Sequence, residues 1–362
     1  MAGTGDHLVA LAPARRVAVR PDATGADITA PTTAATLRED LPAPSPALLE
    51  RASRPAAQTP IWCRTPYGPT STVTGVNLDV IMWPDSPWAD MRQEWLQAEE
   101  FGLGRGWLYD HLNLNDRPIW HESYTTLAAA AAATSRIGMG TMVTAPNFRH
   151  PVTTAKAALS LDALSEGRFV LGLGAGGPGA DSDALGGAPL DRAERTARFA
   201  EWTELIDLLL TRDTADFAGR HFTAHQVEIG GGEARRPPLA VAATARRGME
   251  LAVRHADLWI TQDISQNPAT YAGTPHAEVR RQLALLDEIC AEQGRPPETL
   301  PRLAVLGYGG ERPLASIEAF RDCLGRYAQL GISTLAVLWP RGEQAGAQLA
   351  VLEQAAAECR LP

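Results

Sequence analysis

From Gly75 onward the chain repeats one pattern, a short apolar run of strand length followed by a longer stretch with helical spacing. The apolar runs fall at 76–83, 105–109, 137–143, 169–173, 239–242, 258–260, 303–306 and 334–338. They are near-continuous rather than alternating, as strands covered on both faces require. Helical stretches lie between them, among them 91–101, 124–135, 153–164, 192–210, 277–291 and 314–330. Parallel strands need such crossovers, because a tight turn can join only antiparallel neighbours. Eight units of this kind, with a further helix after the last run, predict an α/β fold of the TIM (β/α)8 barrel type. An open doubly wound sheet would use fewer strands and place a glycine-rich turn after its first strand. Here the first run ends in Trp83-Pro84-Asp85.

Residues 1–73 have a different character. They hold ten of the 27 prolines and two aromatic residues, Trp62 and Tyr67, in long stretches of Ala, Thr, Pro and Arg without a sustained period. Such a composition buries too little apolar surface to offset the entropy of ordering the chain. The expectation is a largely disordered N-terminal extension with one short helix near 45–52, followed by the barrel over 74–362.

Bulk properties remove several function classes. A net charge of −9, with arginine pairs scattered rather than gathered into a basic face, argues against nucleic-acid binding. The four cysteines are widely spaced and form no CxxC pair, which predicts neither a disulfide framework nor a metal site. No run is apolar for the length of a membrane span, and no apolar run follows Arg15-Arg16 as in an export signal. The expected location is cytoplasmic.

In a barrel of this type, chemistry gathers where the strands end. The second run ends in Tyr109-Asp110-His111, and His111 is a histidine at a strand terminus with a titration range suited to proton transfer. A structural histidine and a loop-capping aspartate would read the same way. The third run ends in Thr141-Met142-Val143-Thr144-Ala145-Pro146. The fourth runs into Gly172-Leu173-Gly174-Ala175-Gly176-Gly177-Pro178-Gly179, either a close approach to a ligand or an ordinary loop. After the fifth, Thr244-Ala245-Arg246-Arg247 places a hydroxyl, backbone N–H groups and guanidinium at a helix start, a reasonable phosphate cradle. Trp83, Trp88, Trp120 and His121 are candidates for the lining of the mouth, or for packing around it.

The block from Arg136 to Pro151, together with Leu161 to Gly176, resembles the luciferase-like monooxygenase superfamily. Asp216 to Phe222, Arg254-His255-Ala256-Asp257 and Gly331 to Leu335 extend the resemblance from about Gly75 to the C-terminus. That superfamily holds flavin monooxygenases and deazaflavin-dependent dehydrogenases and reductases. The resemblance implies a barrel with insertions, the longest here over 211–237. It also implies a non-prolyl cis peptide at Met142-Val143, behind the cofactor ring. Asp110-His111 resembles the second-strand motif of the deazaflavin branch, where the aspartate contacts the cofactor and the histidine sits beside the reactive carbon. Thr144 and Ala145 fall beside the cis bond, Ala145 where a cofactor-binding threonine occurs. Ala175, Gly176, Thr244 and Ala245 fall where backbone groups hold the ring and phosphate tail, and Arg246 is a candidate phosphate contact. Gly177 departs from the family pattern, since the sugar-phosphate dehydrogenases carry a proton-donating glutamate there. A glycine pair is likewise replaced by Thr244-Ala245.

The first reading is therefore hydride transfer between the deazaflavin coenzyme F420 and a small organic substrate, with His111 in the protic role and Asp110 as orienter or cofactor contact. A second is an FMN-dependent monooxygenase that uses reduced flavin and oxygen and depends on a separate reductase. A third is a non-catalytic flavin-binding barrel. Members of the superfamily often form homodimers.

Overall fold

The computed structural model describes residues 75–114, 119–186, 188–232, 236–262 and 274–360. The extension over 1–73, with the short helix expected at 45–52, lies outside the described residues. Ten strands are described: β1 (Asn77–Met82), β2 (Arg105–Leu108), β3 (Gly138–Thr141), β4 (Phe169–Leu173), β5 (Ala215–Ala218), β6 (Thr223–Val227), β7 (Leu239–Ala242), β8 (Leu258–Gln262), β9 (Arg302–Leu306) and β10 (Thr334–Leu338). The helices are α1 (Trp88–Glu100), α2 (Ser123–Ala133), α3 (Pro151–Leu164), α4 (Ala180–Asp183), α5 (Arg192–Thr211), α6 (Arg246–His255), α7 (Pro275–Gln293), α8 (Ile317–Gln329) and α9 (Ala345–Arg360).

Eight of these strands close into a parallel barrel in the order β1-β10-β9-β8-β7-β4-β3-β2. Closure is made where Val80 pairs with Val337, and the long insertion is bridged where Gly172 pairs with Ala240. The fold is the TIM barrel expected from the repeat. Among the described residues no helix is long and apolar enough to cross a membrane.

The pleat sorts each strand's side chains into two layers. Outward residues such as Val80, Leu108, Met139, Leu171, Val241 and Val337 pack under the helices. Inward residues, among them Ile81, Trp107, Val170, Ala240, Ile260, Leu303 and Ala336, fill the barrel axis. Both layers are apolar, which is why the runs read as continuous rather than alternating. One polar cluster interrupts the axis where the strands begin. There the Trp107 indole N–H donates to Asp79 at 2.9 Å and Arg105 lies 3.7 Å from the same carboxylate, both charged groups buried. Burial pushes the Asp79 carboxyl up to about 6, against the opposing pull of Arg105.

Helix starts follow local chemistry. α3 begins one residue after His150, with Pro151 in the first turn, where a missing N–H costs nothing. α5 is capped by Asp191 accepting from the Glu194 N–H at 2.8 Å. The insertion over 211–237 carries the antiparallel hairpin β5-β6. Its strands are short and, Ala215 apart, exposed or half-buried, so they lack the continuous apolar run that marked the others. The third strand ends at Thr141 rather than 143, because the backbone turns out of register there.

Candidate active site

A cavity of about 410 Å³ opens at the end of the barrel where the strands finish. Its floor is Met142 and Val143, joined by a cis peptide bond as the resemblance implies. The bend carries the chain across the barrel mouth: the Met142 N–H donates to the Leu108 carbonyl at 2.7 Å, and the Thr144 N–H to that of Gly172 at 2.8 Å. One wall is the glycine-rich loop from Gly174 to Gly177. A Cβ on Gly174 would stand 2.2 Å from the Val143 side chain, so only glycine lets this loop lie against the floor. Gly176 has φ +68°, a left-handed conformation, and a Cβ there would meet Asn147 at 2.6 Å. Asn147 in turn donates to the Gly177 carbonyl at 3.0 Å and accepts from Arg198 at 2.8 Å, tying the loop to α5. The opposite wall is Ile260, Thr261, Gln262, Val305 and Tyr308.

The far end of the cavity is cationic and rich in donors. Thr244, Ala245 and Gly248 line it at the start of α6, whose N-cap residue Ala245 offers no side-chain cap. Its first N–H groups are therefore open to an acceptor, at the positive end of the helix dipole. Arg192, Arg195 and Thr196 of α5 line the same end. Arg195 donates to the Leu190 carbonyl at 2.9 Å, and neither arginine makes an ion pair among the described residues. A group with a flat ring and an anionic tail fits these residues: a ring on the Met142-Val143 floor, an anion between α5 and the start of α6.

The end of β2 is set differently from the expectation. Asp110 is buried, and both its carboxylate oxygens are taken by Arg149, whose Nε donates at 2.9 Å and whose Nη2 donates at 2.5 Å. Arg149 also reaches Glu122 at 2.5 Å and lies over the Tyr124 and Phe148 rings, 4.6 and 4.9 Å from their centroids. Burial raises the Asp110 carboxyl above its usual range, with Arg149 opposing. Asp110, expected as orienter of His111 or cofactor contact, thus has its carboxylate on the Arg149 guanidinium and is not among the residues that line the cavity. His111 is not among the lining residues; its ring lies 6.4 Å from that of Tyr109, which is, and 6.2 Å from that of Trp120. Its Nδ1 lies 2.5 Å from Asp181. Tyr109 does line the cavity, hydrogen-bonded to Tyr308 across the mouth. Burial and then Tyr308 hold the Tyr109 hydroxyl well above the ordinary tyrosine range.

Of the residues expected to hold a cofactor, Met142, Val143, Ala175, Gly176, Thr244 and Ala245 line the cavity. Thr144 and Ala145 are buried behind it, Thr144 bonded to Tyr124 at 2.9 Å. Arg246 does not line the cavity; its guanidinium pairs with Glu292 at 2.8 Å and with Glu288. Sequence reasoning missed Arg149, Arg192, Arg195, Tyr308 and Asp181. The signal available for Arg192 and Arg195 was their place at the start of a helix that follows the glycine-rich loop. Trp83 packs edge-on against Tyr109 and Trp120, and it also walls a second cavity of about 500 Å³ with Leu314, Trp339 and Arg341. Trp88, the first residue of α1, is half-buried against the core, and His121 is exposed, 3.0 Å from the Ser86 carbonyl.

A family model described as luciferase-like monooxygenase matches residues 62–308, beginning inside the extension. The chain is 32% identical over 253 residues to the F420-dependent hydroxymycolic acid dehydrogenase of Mycobacterium tuberculosis, covering 67% of this chain and 66% of that protein. It is 31% identical over 217 residues to the 4-hydroxyprotoasukamycin monooxygenase of Streptomyces nodosus subsp. asukaensis, covering 58% of this chain and 55% of that protein. The chain thus spans less than two thirds of the length of either of these relatives. A solved F420-dependent secondary alcohol dehydrogenase, in complex with an F420-acetone adduct, shares the fold with a TM-score of 0.66 at 16% identity, over 79% of this chain and 99% of that one. The chain belongs to the luciferase-like monooxygenase family.

Proposed function

We propose that this protein is an F420-dependent oxidoreductase that moves a hydride between the deazaflavin and a small organic substrate. The observation that carries the reading is the cavity's polarity: an apolar floor at Met142-Val143 and a cationic end at Arg192, Arg195 and the start of α6. That end suits an acidic tail of the kind F420 carries. The F420-dependent relative from Mycobacterium tuberculosis supports the choice of coenzyme. When bound, the deazaflavin supplies the hydride donor or acceptor. The chain's own residues bind and orient it, with the Gly174–Gly177 loop pressed against Val143 and the arginines holding the tail. His111 gives or takes the accompanying proton through Nε2, which has no hydrogen-bond partner among the described residues. Asp110 and Arg149 act beneath it, fixing the end of β2 from which His111 projects.

The monooxygenase relative supports a second reading, reduced FMN with oxygen and a separate reductase. Fluorescence titration of the purified chain with F420 and with FMN in parallel tests both. Tight binding of F420, with reduction of the bound coenzyme by a member of a panel of primary and secondary alcohols, is the expected result. Binding of FMN alone, with oxygen uptake when it is reduced, would overturn the F420 reading in favour of the second.

A further inference from the structure

The loop that walls the cavity does not stop at Gly177. It turns through Gly179 into the single turn α4, and from there Asp181 reaches back across the mouth to the end of β2. One oxygen of Asp181 lies 2.5 Å from Nδ1 of His111, and the other accepts from the backbone N–H of Leu112 at 2.9 Å. The two contacts define the carboxylate's position from both sides. A residue 70 positions away in sequence thus meets the imidazole and the peptide that follows it.

We propose that Asp181 is a positioning residue that holds His111 in the Nδ1–H tautomer, leaving Nε2 as the nitrogen that exchanges a proton with substrate. The inference rests on His111 holding the protic role proposed above. A carboxylate only accepts, so the hydrogen of a neutral imidazole must sit on Nδ1 for this contact to form. Nε2 is then a lone pair able to take the hydroxyl proton of an alcohol as its carbon gives up a hydride to the coenzyme. In the opposite direction the imidazolium returns that proton to the carbonyl oxygen as the hydride arrives, so the charges balance. The same carboxylate stabilises the imidazolium in between, as in other aspartate–histidine pairs. The loop that walls the cavity thus delivers an acid to the histidine.

Asp181→Asn separates this role from that of a simple loop tie. The amide oxygen still accepts from the Leu112 N–H, while its NH₂ presents a donor to Nδ1 and forces the proton onto Nε2. Two-bond ¹H–¹⁵N spectra of the full chain, ¹⁵N-labelled at histidine and free of coenzyme, read the tautomer directly at about pH 8.5, where an ordinary imidazole is neutral. A His111→Gln spectrum assigns the resonance. The expected result is Nδ1–H in the wild type and Nε2–H in Asp181→Asn. An Nε2–H wild type, or the same tautomer in both proteins, overturns the proposal. If Asp181→Asn does not fold, Asp181→Ala removes the acceptor, and loss of the Nδ1–H preference is then the expected result. In turnover, Asp181→Asn lowers kcat by about 10²–10⁴-fold with F420 affinity unchanged, the range seen when such a pair loses its tautomer. Unchanged kcat would overturn the catalytic consequence. A wild type that shows the Nδ1–H tautomer yet turns over no alcohol would sink the function reading and leave the pairing standing.

Discussion

Where the barrel strands begin, Asp79 faces Arg105 at 3.7 Å along the closed axis, with the Trp107 indole as its nearer partner. Where they finish, Asp110 is gripped by Arg149 through two nitrogens, at 2.5 and 2.9 Å. Both carboxylates are buried, and burial raises both above the ordinary range. What differs is the geometry and what lies around it. Arg149 makes a two-pronged bond, reaches Glu122 as well and is stacked on two aromatic rings, so it fixes a strand end beside a cavity. Asp79 and Arg105 plug the other end, and neither lines the cavity. Like chemistry at the two ends therefore serves stability at one and placement at the other.

Four measurements sharpen or break this contrast. The largest effect is expected from Arg149→Ala, which leaves a buried carboxylate without its partner and costs about 3–5 kcal/mol. Chemical denaturation at neutral pH checks it, and a loss under about 1 kcal/mol would mean that the pair at the open end is loosely held. Second is the pH dependence carried by Asp79. Its pKa rises from 3.8 to about 6 on folding, so the folded state binds the proton more tightly. Its contribution is fully present below pH 3.8 and is lost as pH rises through about 6, amounting to about 3 kcal/mol at most. Asp79→Asn stays neutral and keeps an acceptor for Trp107. Its melting temperature should therefore gain on the wild type as pH rises from 4 to 7, and a constant difference would refute the shift.

Third, replacing Arg192 and Arg195 together by alanine should weaken F420 binding roughly ten- to hundredfold and flatten its salt dependence, with stability nearly unchanged. An equal loss for an uncharged flavin would show that the two residues act by packing and not by charge. The smallest effect is expected from Arg246→Ala. Its side chain pairs with Glu288 and Glu292 on the surface, so F420 affinity should stay the same and the melting temperature should shift slightly if at all. A clear loss of affinity would return Arg246 to the cofactor site.

Much of this architecture was legible in the sequence, and the parts that were not share a cause. The strand-end rule located Tyr109, Met142, Val143, Gly176 and Thr244, all of which line the cavity. Asp110, His111 and Arg246 are not among the lining residues, because the rule gives the position of a residue on its strand or helix and not the partner its side chain finds. Asp110 turned to Arg149, 39 residues on, and Arg246 turned to a helix more than 40 residues away. The hairpin β5-β6 was missed for another reason. It lies outside the barrel, so its strands need no buried face and leave no hydrophobic signature.

The sequence by itself determined the barrel. Eight apolar runs with helical crossovers have one compact way to bury both faces of every strand, and burial is written locally in each run. It also determined the end of the barrel at which chemistry gathers, since that follows from strand direction. Only the tertiary structure decided which long polar side chains meet there: Arg149 on Asp110, Asp181 on His111, Arg192 and Arg195 at the far end of the cavity. Those pairings depend on how loops of different length fold back over the strand ends. A charged side chain keeps no periodic record of the partner it will find.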